Sequence, residues 1–552
     1  MKVDDVVASA FVKEGGTTIF GLLGDGQVGW WAAIAKYPQV KIIDARDEGA
    51  ALTMAEGWAI TTKKVGVASC THGPGLARMF TSLITATRSH TPVVVYTSKT
   101  ALNNEAHVQF LDQERMVNAT GAGYIEVLKP DFAETAVRQA FYRARLEQRP
   151  IVLCVPHDVQ HMNCESDGDD YQTSASMFAG QQRIRPDVDR LNDAVKIIAA
   201  SKKPVVLLGR GAMEARAKEI ADRLAKRIGA LINTTLIAQG TLCESEFHAG
   251  ISGLFATKAV MELYEETDCV IAVGAGLNTR TLEGGYLYPE AKIIHIDIQP
   301  HIMMGTDKGA DCYLQGDAAA TLQEIDDLLA KQGISQEGYR TAATRKALRD
   351  AYRDPTEFEI ESGTMDPREA MRVIDDKLPA EIGMVMGGGH SFTFSAMLLK
   401  KKRSHHTYVT SFGCIGQTLP AAIGVGVALE GKALAHLAGD GGTMQNVQEL
   451  DTAARLGLKL LFIILNDEAY GAEYHKLKAS GRDANLSQVN SPDFGAVGRG
   501  FGCRGKLAMT VEDVAAGIDE FLAGDGPMVL DIKLSRNAIS IPYRRMHYGQ
   551  DV

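Results

Sequence analysis

Short apolar segments alternate with longer stretches of helical periodicity along almost the whole chain of 552 residues. The apolar segments are rich in Val and Ile and are bounded by Gly or Pro, which is typical of strands buried on both faces. Helices that return the chain between such strands produce βαβ units and parallel sheets. The pattern therefore predicts an α/β protein built from parallel β-sheets flanked by helices.

Two polar segments divide this pattern into three blocks. Residues 164–186 lose their periodicity and predict a linker, and residues 332–366 are charged and contain no predicted strand. A chain of this length also exceeds the size of a single hydrophobic core. We therefore predict three α/β domains, at 1–163, 187–335 and 366–540. Their predicted strands are 17–23, 41–45, 65–71, 92–98 and 150–156, then 204–209, 230–235, 269–275 and 292–298, then GMVMG, TYVTS, ALAHLA, KLLFIILN and PMVLDIKL.

Composition excludes several classes of protein. The net charge of -10 gives no electrostatic reason to expect nucleic acid or an anionic membrane surface as a partner. No apolar run approaches the ~18 residues of a spanning helix, and the first residues lack the features of a signal peptide. The eight cysteines are scattered, several of them inside apolar runs, which predicts buried free thiols. We expect a cytoplasmic protein with neither nucleic acid nor membrane as a partner.

The segment 433–471 carries the most chemical information. One predicted strand ends at a G-D-G turn that contains Asp440, a helix follows, and the next strand ends at Asn466. Both residues therefore emerge at the edge of a parallel sheet where ligands bind. Carboxylate and amide oxygens suit Mg²⁺ or Ca²⁺ better than Zn²⁺, and a helix predicted to begin near Asn446 would offer N–H groups to an anion. The pair indicates a metal-diphosphate site; a plain tight turn with Asn466 as a cap is the alternative.

These residues resemble a known motif. A G-D-G turn followed after about 26 residues by N-D, with E-L-D-T-A-A-R between them, is similar to the thiamine-diphosphate motif of one superfamily. That superfamily includes acetohydroxyacid synthase, pyruvate oxidase, pyruvate decarboxylase and benzoylformate decarboxylase. The resemblance implies that Asp440, Asn466 and the backbone carbonyl of Glu468 hold Mg²⁺, which bridges to the cofactor diphosphate. The common pattern has a second Asn where this chain has Asp467.

The first block resembles the same superfamily. The segment IIDARDEGAALTMAEGWAI is similar to R-H-E-x-x-A-x-x-M-A-x-G-Y-A, with departures at Asp47 and Trp58. The resemblance implies that Glu48 hydrogen-bonds N1′ of the aminopyrimidine and promotes the tautomer that removes the C2 proton of the thiazolium. Taken alone, Glu48 is also typical of an ordinary acid in the first turn of a helix.

Two further segments of the first block extend the resemblance. CTHGPGLARMFTSLITATRSHTPVVV is similar to the segment whose Gly73, Pro74 and Gly75 lie against the pyrimidine. His72 would then point into the substrate cavity and donate to a carboxylate or carbonyl oxygen, although a hydrogen-bonded surface histidine is the alternative. Gln109 falls where the family often has Gln beside the thiazole.

The third block completes the resemblance, which runs from about residue 3 to 535. FGCIGQTLPAAIG is similar to the loop whose apolar side chain wedges between the two thiamine rings, here Ile415, with a core aliphatic as the alternative. GGGHSFTF is similar to the glycine-rich turn near the diphosphate, with His390 where Asn or Gln is usual. The residues assigned to the cofactor are Gly73, Pro74, Gly75, Gly389, His390, Ile415, Gly439, Asp440, Gly441, Gly442, Asn466, Tyr470 and Gly471.

The resemblance implies a function and an assembly. The domains would be a pyrimidine-binding domain, a Rossmann-like central domain and a diphosphate- and Mg²⁺-binding domain, in a homodimer or homotetramer with active sites between subunits. The central domain binds FAD in acetohydroxyacid synthases, but no residue here supports FAD. The chain looks most like acetolactate synthase large subunits, which implies a carboligase acting on a 2-oxo acid or related carbonyl compound. A non-ligating 2-oxo acid decarboxylase or a 1,2-diketone-cleaving lyase is the alternative.

Two other classes of protein agree less well with the sequence. A nucleotide-dependent oxidoreductase would need a G-x-G-x-x-G turn followed about 20 residues later by an acid, and no segment has this pattern. A non-catalytic scaffold would have no need to retain Glu48, Asp440 and Asn466 together.

Overall fold

The computed structural model describes the whole chain except residues 103, 166–169, 179–182, 300–308, 353, 404–405, 410 and 551. Its described residues form three six-stranded sheets in which the paired strands run parallel. Helices flank each sheet. The predicted fold class, with three parallel α/β sheets, is confirmed.

The first sheet contains the strands β1 (Thr18–Gly21), β2 (Lys41–Asp44), β3 (Gly66–Cys70), β4 (Val93–Lys99), β5 (Gly123–Glu126) and β6 (Ile151–Pro156). Their spatial order is β2-β1-β3-β4-β6-β5. The helices of this part are α1 (Val3–Lys13), α2 (Val28–Ile34), α3 (Glu48–Thr62), α4 (Pro74–Arg78), α5 (Phe80–Arg88), α6 (Gln113–Ala119), α7 (Ala133–Glu147) and α8 (His157–Gln160). Helices α3 and α4 start shortly after β2 and β3, so both begin at the carboxyl edge of the sheet.

The central sheet contains β7 (Pro204–Leu208), β8 (Leu231–Thr234), β9 (His248–Ile251), β10 (Cys269–Val273), β11 (Lys292–Asp297) and β12 (Cys312–Gln315). Their order is β12-β11-β10-β7-β8-β9, which is Rossmann-like in having strands added on both sides of β7. The helices are α9 (Val188–Ala200), α10 (Arg210–Glu214), α11 (Lys218–Arg227), α12 (Lys258–Glu265), α13 (Thr279–Leu282) and α14 (Ala318–Lys331), with α15 (Ala342–Asp350) in the charged segment that follows.

The third sheet contains β13 (Gly383–Met386), β14 (His406–Tyr408), β15 (Leu434–Gly439), β16 (Leu460–Asn466), β17 (Arg504–Ala508) and β18 (Met528–Lys533). Their order is β14-β13-β15-β16-β18-β17. The helices are α16 (Pro367–Lys377), α17 (His390–Leu398), α18 (Thr418–Ala428), α19 (Asp440–Met444), α20 (Glu449–Arg455), α21 (Gly471–Ala479), α22 (Phe494–Gly500), α23 (Val511–Ala523) and α24 (Ile541–Tyr548). Strand β16 is buried at all seven residues, because sheet neighbours and helices cover it on every side.

Four strands lie outside the predicted set: β5, β9, β12 and β17. Each is the outermost strand at an edge of its sheet. Their residues alternate between buried and partly exposed, or are partly exposed throughout most of the strand. An edge strand has a neighbour on one side only and needs no continuous apolar run. The pattern that identifies central strands therefore misses them.

The first and third sheets share one hydrophobic core. Helix α3 packs against α18, and one continuous cluster contains apolar residues from both parts of the chain. The two helices approach closely because glycines lie at the contact: a Cβ on Gly57 would be 2.4 Å from the carbonyl oxygen of Ala421, and one on Gly424 would be 1.9 Å from that of Met54. The central sheet is covered by two clusters of its own.

Helix α24 ties the end of the chain to two other regions. Arg544 donates to Asp354 at 2.8 Å and to Thr356 at 2.6 Å, in the segment that leads into the third sheet. Arg545 donates to Glu283 at 2.6 Å and to the carbonyl of Ala256 at 2.6 Å, both in the central part. The last helix therefore fixes the third sheet relative to the central one.

Two expectations from composition concern the whole chain. None of the helices in the described residues is both long enough and apolar enough to cross a membrane. The eight cysteines are free thiols, as predicted, and six of them are buried.

Candidate active site

The predicted metal ligands lie at adjacent strand ends of the third sheet. Strand β15 ends at Gly439, and β16, which pairs with it directly, ends at Asn466. A short helix that the sequence did not predict, α19, begins at Asp440 itself, immediately after Gly439, while the helix predicted near Asn446 is α20, which begins at Glu449. No side chain caps the start of α19, which leaves its N–H groups facing the same edge as Asp440.

Asp440 is buried, and within the described residues its carboxylate forms no ion pair with a basic side chain. Its carboxylate accepts a hydrogen bond from Ser491. Burial raises its pKa to about 6, while hydrogen bonds from Ser491 and from backbone N–H groups lower it and the nearby Asp531 raises it further. A buried carboxylate without a basic partner is a costly arrangement that a divalent cation would relieve. Ser491 had no signal in the sequence.

Asn466 is held in one orientation by a second acid. Its amide nitrogen donates to both carboxylate oxygens of Asp531 on β18, at 3.0 and 3.2 Å. Its amide oxygen accepts from the N–H of Glu468 at 3.2 Å, which leaves one lone pair of that oxygen for a cation. Asp531 fixes which end of the amide faces the site, and sequence reasoning missed it because it lies in an apolar strand 65 residues away.

Glu468 has an unusual backbone conformation for a residue with a side chain, with φ +56°. This conformation separates its two oxygen-bearing groups. Its carboxylate pairs with Lys533 at 2.6 Å, and its carbonyl accepts from the N–H of Val489 at 2.9 Å, with a second lone pair remaining. The backbone carbonyl is the group of Glu468 that was predicted as a ligand.

Asp467 adds another buried acid beside this set. Its carboxylate accepts from the N–H of Ala469 at 3.2 Å. Burial and the charge of Asp440 raise its pKa well above the ordinary value. Among the described residues no group of three or more His, Cys, Asp and Glu side chains could hold a metal ion. The candidate ligands are therefore one carboxylate, one amide and one carbonyl, an oxygen set that fits Mg²⁺.

Three glycine-bearing segments meet beside these ligands. A Cβ on Gly442 would lie 3.6 Å from Cβ of Ile415, and one on Gly388 would lie 3.5 Å from Cγ2 of the same residue. A Cβ on Gly441 would be 2.7 Å from Cε1 of Tyr470, so the tyrosine ring lies directly over this position. The structure therefore brings the predicted wedge residue together with the G-D-G turn and the turn after β13.

His390 opens helix α17 at the glycine-rich turn, after Gly389 with φ +96°. Its imidazole is buried and Nε2 accepts from the N–H of Ser540 at 3.1 Å, while its ring lies 4.2 Å from that of His475. A Cβ on Gly471 would be 3.3 Å from Cβ of His390, so the turn and the start of α21 touch. The imidazole therefore contacts the C-terminal segment of the chain. No side chain caps the start of α17, so the backbone N–H groups of its first turn could bind a phosphate.

The other predicted residues gather at the carboxyl edge of the first sheet. Glu48 is the first residue of α3 and is buried. Its Oε1 would be 3.2 Å from a Cβ on Gly75, which follows Pro74 at the start of α4. Burial raises the pKa of Glu48 and so does the charge of Asp47, against a lowering by Arg78. Glu48 therefore lies over the G-P-G turn in an environment that favours its protonated form.

His72 and Gln109 both lie beside the same turn, and the side chain of Gln109 interacts with the imidazole of His72. His72 is buried, its Nδ1 is 2.7 Å from the hydroxyl of Ser98, and its Nε2 has no partner among the described atoms. Burial lowers its pKa, and the neighbouring His107 lowers it further. Gly73 has φ +62°, and a Cβ there would be 2.2 Å from the carbonyl oxygen of Gln109. A neutral imidazole with a free nitrogen can bind a polar group of a ligand.

Gln113 is a further residue of this edge that the sequence did not reveal. It is buried, accepts from the N–H of Gly73 at 2.9 Å and donates to the carbonyl of Ser98 at 2.9 Å. It therefore holds the G-P-G turn and the residue that orients His72. Gln113 lies four residues after Gln109, and nothing in the local sequence shows which of the two glutamines contacts the turn.

The two edges of one chain touch through a short series of hydrogen bonds. Gln417, two residues after Ile415, donates to the hydroxyl of Ser82 at 3.1 Å. Ser82 donates in turn to the carbonyl of Gly49, next to Glu48, at 2.8 Å. The loop of the predicted wedge residue is therefore connected to the first turn of α3.

Comparison with known proteins identifies related chains. Sequence profiles of thiamine pyrophosphate enzymes match residues 1–117 (N-terminal TPP binding domain), 191–325 (central domain) and 387–532 (C-terminal TPP binding domain). The probable acetolactate synthase large subunit of Methanocaldococcus jannaschii is 27% identical over 548 residues, covering 96% of this chain and 92% of that protein. The acetolactate synthase large subunit of Haemophilus influenzae is 24% identical over 529 residues, covering 94% and 91%.

A solved structure has the same fold. The thiamine diphosphate-dependent 4-hydroxybenzoylformate decarboxylase of Rhodococcus jostii RHA1 superimposes with a TM-score of 0.79, over 97% of this chain and 99% of that one. The sequence identity is 20%, so this likeness concerns the fold alone.

Proposed function

This chain belongs to the thiamine pyrophosphate enzymes, and from that premise we propose that it uses thiamine diphosphate (ThDP) and Mg²⁺ to form a carbon–carbon bond next to a carbonyl. The proposed reaction is carboligation of the acetolactate-synthase type, with a 2-oxo acid as the first substrate. The observation that carries the proposal is the meeting of Asp440, Asn466 and the Glu468 carbonyl beside Ile415. The reaction type is supported by relatives that are acetolactate synthase large subunits.

The residues present fit this pair of cofactors. The buried carboxylate of Asp440, the oriented amide of Asn466 and the carbonyl of Glu468 would hold Mg²⁺. The uncapped starts of α17 and α19 would bind the diphosphate. When bound, ThDP supplies a thiazolium carbon that adds to a substrate carbonyl. Ile415 would then fix the conformation of the cofactor by its bulk.

The first sheet would supply the proton transfers and the substrate contacts. Glu48 would hold a proton on its carboxyl, in surroundings that raise its pKa. His72, with a buried and unpartnered Nε2 among the described atoms, would bind a carbonyl or carboxylate oxygen of the substrate. Gln109 lies beside the same turn and next to His72, and would contact the reacting group.

We also propose that the active enzyme is a homodimer or homotetramer in which the first sheet of one subunit faces the third sheet of another. Apolar side chains remain exposed near both edges, as an unfilled interface would require. They are Leu23, Val28, Val108 and Phe110 near the first edge, and Met444, Tyr470, Leu486 and Val489 near the second. The free cysteines further support a reducing, cytoplasmic location.

One experiment tests the reaction type. Purified protein is incubated with ThDP and Mg²⁺, with single 2-oxo acids, pairs of 2-oxo acids, and 1,2-diketones, and the products are identified by mass spectrometry. A 2-hydroxy-2-acyl acid from a pair of 2-oxo acids is the expected result. An aldehyde as sole product would make the enzyme a decarboxylase, and cleavage of diketones would make it a lyase. Absence of ThDP binding under all conditions would overturn the proposal.

A further inference from the structure

An ion pair lies directly beside Glu48. Asp47 caps α3, since its Oδ1 accepts from the N–H of Ala50 at 2.9 Å. Its Oδ2 accepts from Nε of Arg78 at 2.6 Å and also from Nη2. The same Nε is 3.4 Å from Oε2 of Glu48. One guanidinium therefore contacts two adjacent carboxylates, and Asp47 fixes where it lies.

The first turn of α3 and the end of α4 lie close together beside this ion pair. A Cβ on Gly49 would lie 2.9 Å from the carbonyl oxygen of Arg78 and 3.0 Å from Oδ1 of Asp47. Any larger residue at 49 would push the first turn of α3 away from the end of α4. Ser82 donates to the carbonyl of Gly49 at 2.8 Å and holds that turn in place. This packing fixes the backbone of Arg78, and the guanidinium, whose side chain is 64% exposed, is fixed by its hydrogen bonds to Asp47.

The charged and titratable groups around Glu48 have opposite effects on its pKa. Burial raises the pKa of Glu48, the charge of Asp47 raises it further, and that of Arg78 lowers it. On β3, the Cys70 thiol has a pKa above its ordinary range, chiefly because of burial and to a small extent because of Glu48, so it remains neutral. On α20, Glu449 interacts electrostatically with Asp47. Arg78 is thus the cation that faces Glu48.

We propose that Arg78, held by Asp47, is a positioning residue that orients the carboxyl group of Glu48 and controls how readily it exchanges its proton. The inference rests on the proposed function, in which Glu48 faces the aminopyrimidine of ThDP. A general acid is most effective when its pKa lies near the operating pH. Burial alone would raise the pKa of Glu48, and Arg78 limits that rise because a cation within about 4–6 Å favours the carboxylate.

The test is a titration of Glu48 in the ThDP-free protein. Infrared spectra follow the carbonyl stretch of protonated carboxyl groups, and each protein is compared with the same protein carrying Glu48→Gln. In Arg78→Gln the midpoint should rise by about one pH unit or more, because the cation is lost and Asp47 is left unpaired. In Asp47→Asn the midpoint should fall, because the like charge beside Glu48 is lost and it acts more strongly than Arg78, while asparagine still caps α3. The double variant should have the same midpoint as Asp47→Asn, because without Asp47 the guanidinium is no longer held beside Glu48.

Two control variants distinguish the specific contact of Arg78 with Glu48 from the general effect of removing a positive charge. Arg46→Gln removes the same charge from the neighbouring position, where the side chain pairs with Asp451 at 2.7 Å, and should leave the midpoint unchanged. Arg78→Lys keeps the charge and should move the midpoint less than Arg78→Gln. An unchanged midpoint in Arg78→Gln, or a double variant that differs from Asp47→Asn as much as Arg78→Gln differs from the wild type, would overturn the inference. If Arg78→Gln alone does not fold, the comparison of the double variant with Asp47→Asn decides.

The outcome is independent of the proposed function because no cofactor is present in the titration. A shifted midpoint together with a protein that binds no ThDP would support the role of the ion pair and overturn the function. In the protein loaded with ThDP and Mg²⁺, the pH profile of C2 proton exchange should move in the same direction as the midpoint for each variant.

Discussion

At the scale of single residues, Asp440 brings a negative charge into a buried place where two other acids, Asp467 and Asp531, already act on it or on its neighbours. Such a cluster is unfavourable without a counter-charge, since burial and like charges both disfavour ionised carboxylates. A bound divalent cation would reverse this cost. We therefore expect cofactor binding and metal binding to depend on one another.

Asp440→Ala should abolish ThDP binding measured by calorimetry in the presence of Mg²⁺, because the only charged ligand of the set is lost. The matched control is Glu468→Gln, which should keep an affinity close to that of the wild type. The carboxylate of Glu468 pairs with Lys533, and the predicted ligand is its backbone carbonyl, which the substitution retains. Normal ThDP affinity in Asp440→Ala, or in wild-type protein treated with EDTA, would contradict the metal assignment.

Glu48→Gln should retain the fold and bind ThDP but slow the exchange of the C2 proton by roughly 10²-fold or more, as expected for loss of a general acid–base group. His72→Ala should leave this exchange nearly intact and change which carbonyl compounds are used. Quenched-flow deuteration followed by proton NMR measures the exchange. Equal losses of exchange in the two variants would show that the roles of Glu48 and His72 are not separate.

The sequence alone could predict some of these residues and not others. Asp440 and Asn466 follow predicted strand ends and could be proposed from their position, whereas Glu48 could be proposed only because its segment resembles that of the superfamily. Ser491, Asp531 and Gln113 could not, because they reach the site from loops, a buried strand and a helix start that only the folded chain brings close. The partners that orient a site follow tertiary contacts, which no local pattern encodes.

At the scale of helices and strands, burial decides which elements a sequence reveals. Central strands such as β4 and β16 are covered on all sides and appear as apolar runs, whereas the edge strand β17 is partly exposed at most positions and does not. The short helix α19 was not predicted, for a related reason. Its residues include two glycines after Asp440, which favour a loop in isolation, and tertiary contacts fold them into a helix.

The crossing of α3 and α18 gives a prediction at this scale. Gly424→Ala should destabilise the protein by about 1–3 kcal/mol, the range for an overpacked core, because the new methyl would meet the backbone of Met54. Gly426→Ala in the same helix should be neutral or stabilising by up to about 1 kcal/mol, since its Cβ meets only the end of the Leu458 side chain at 3.3 Å. Thermal unfolding of both variants measures the difference. Equal effects would mean that the helices separate easily.

At the scale of the whole molecule, the proposed assembly predicts complementation between two inactive variants. If Glu48 and Asp440 of one chain serve different active sites, each mixed dimer of Glu48→Gln and Asp440→Ala subunits contains one intact site. Random mixing should then restore about a quarter of wild-type activity in a two-fold symmetric dimer. Recovery of no activity after subunit exchange, verified by mass spectrometry, would contradict this arrangement.

The shared core of the first and third sheets affects which fragments of this protein can be expected to fold. The two parts are separated by the whole central part yet bury apolar residues in one common cluster, whereas the central part packs mainly in clusters of its own and meets the third part through Ile251 and Phe255. Segments that unfold together are those that pack against each other, whether or not they are adjacent in the sequence. Truncation from either end would strip one partner from the common cluster, while the middle third is the piece suited to expression alone or to exchange between relatives.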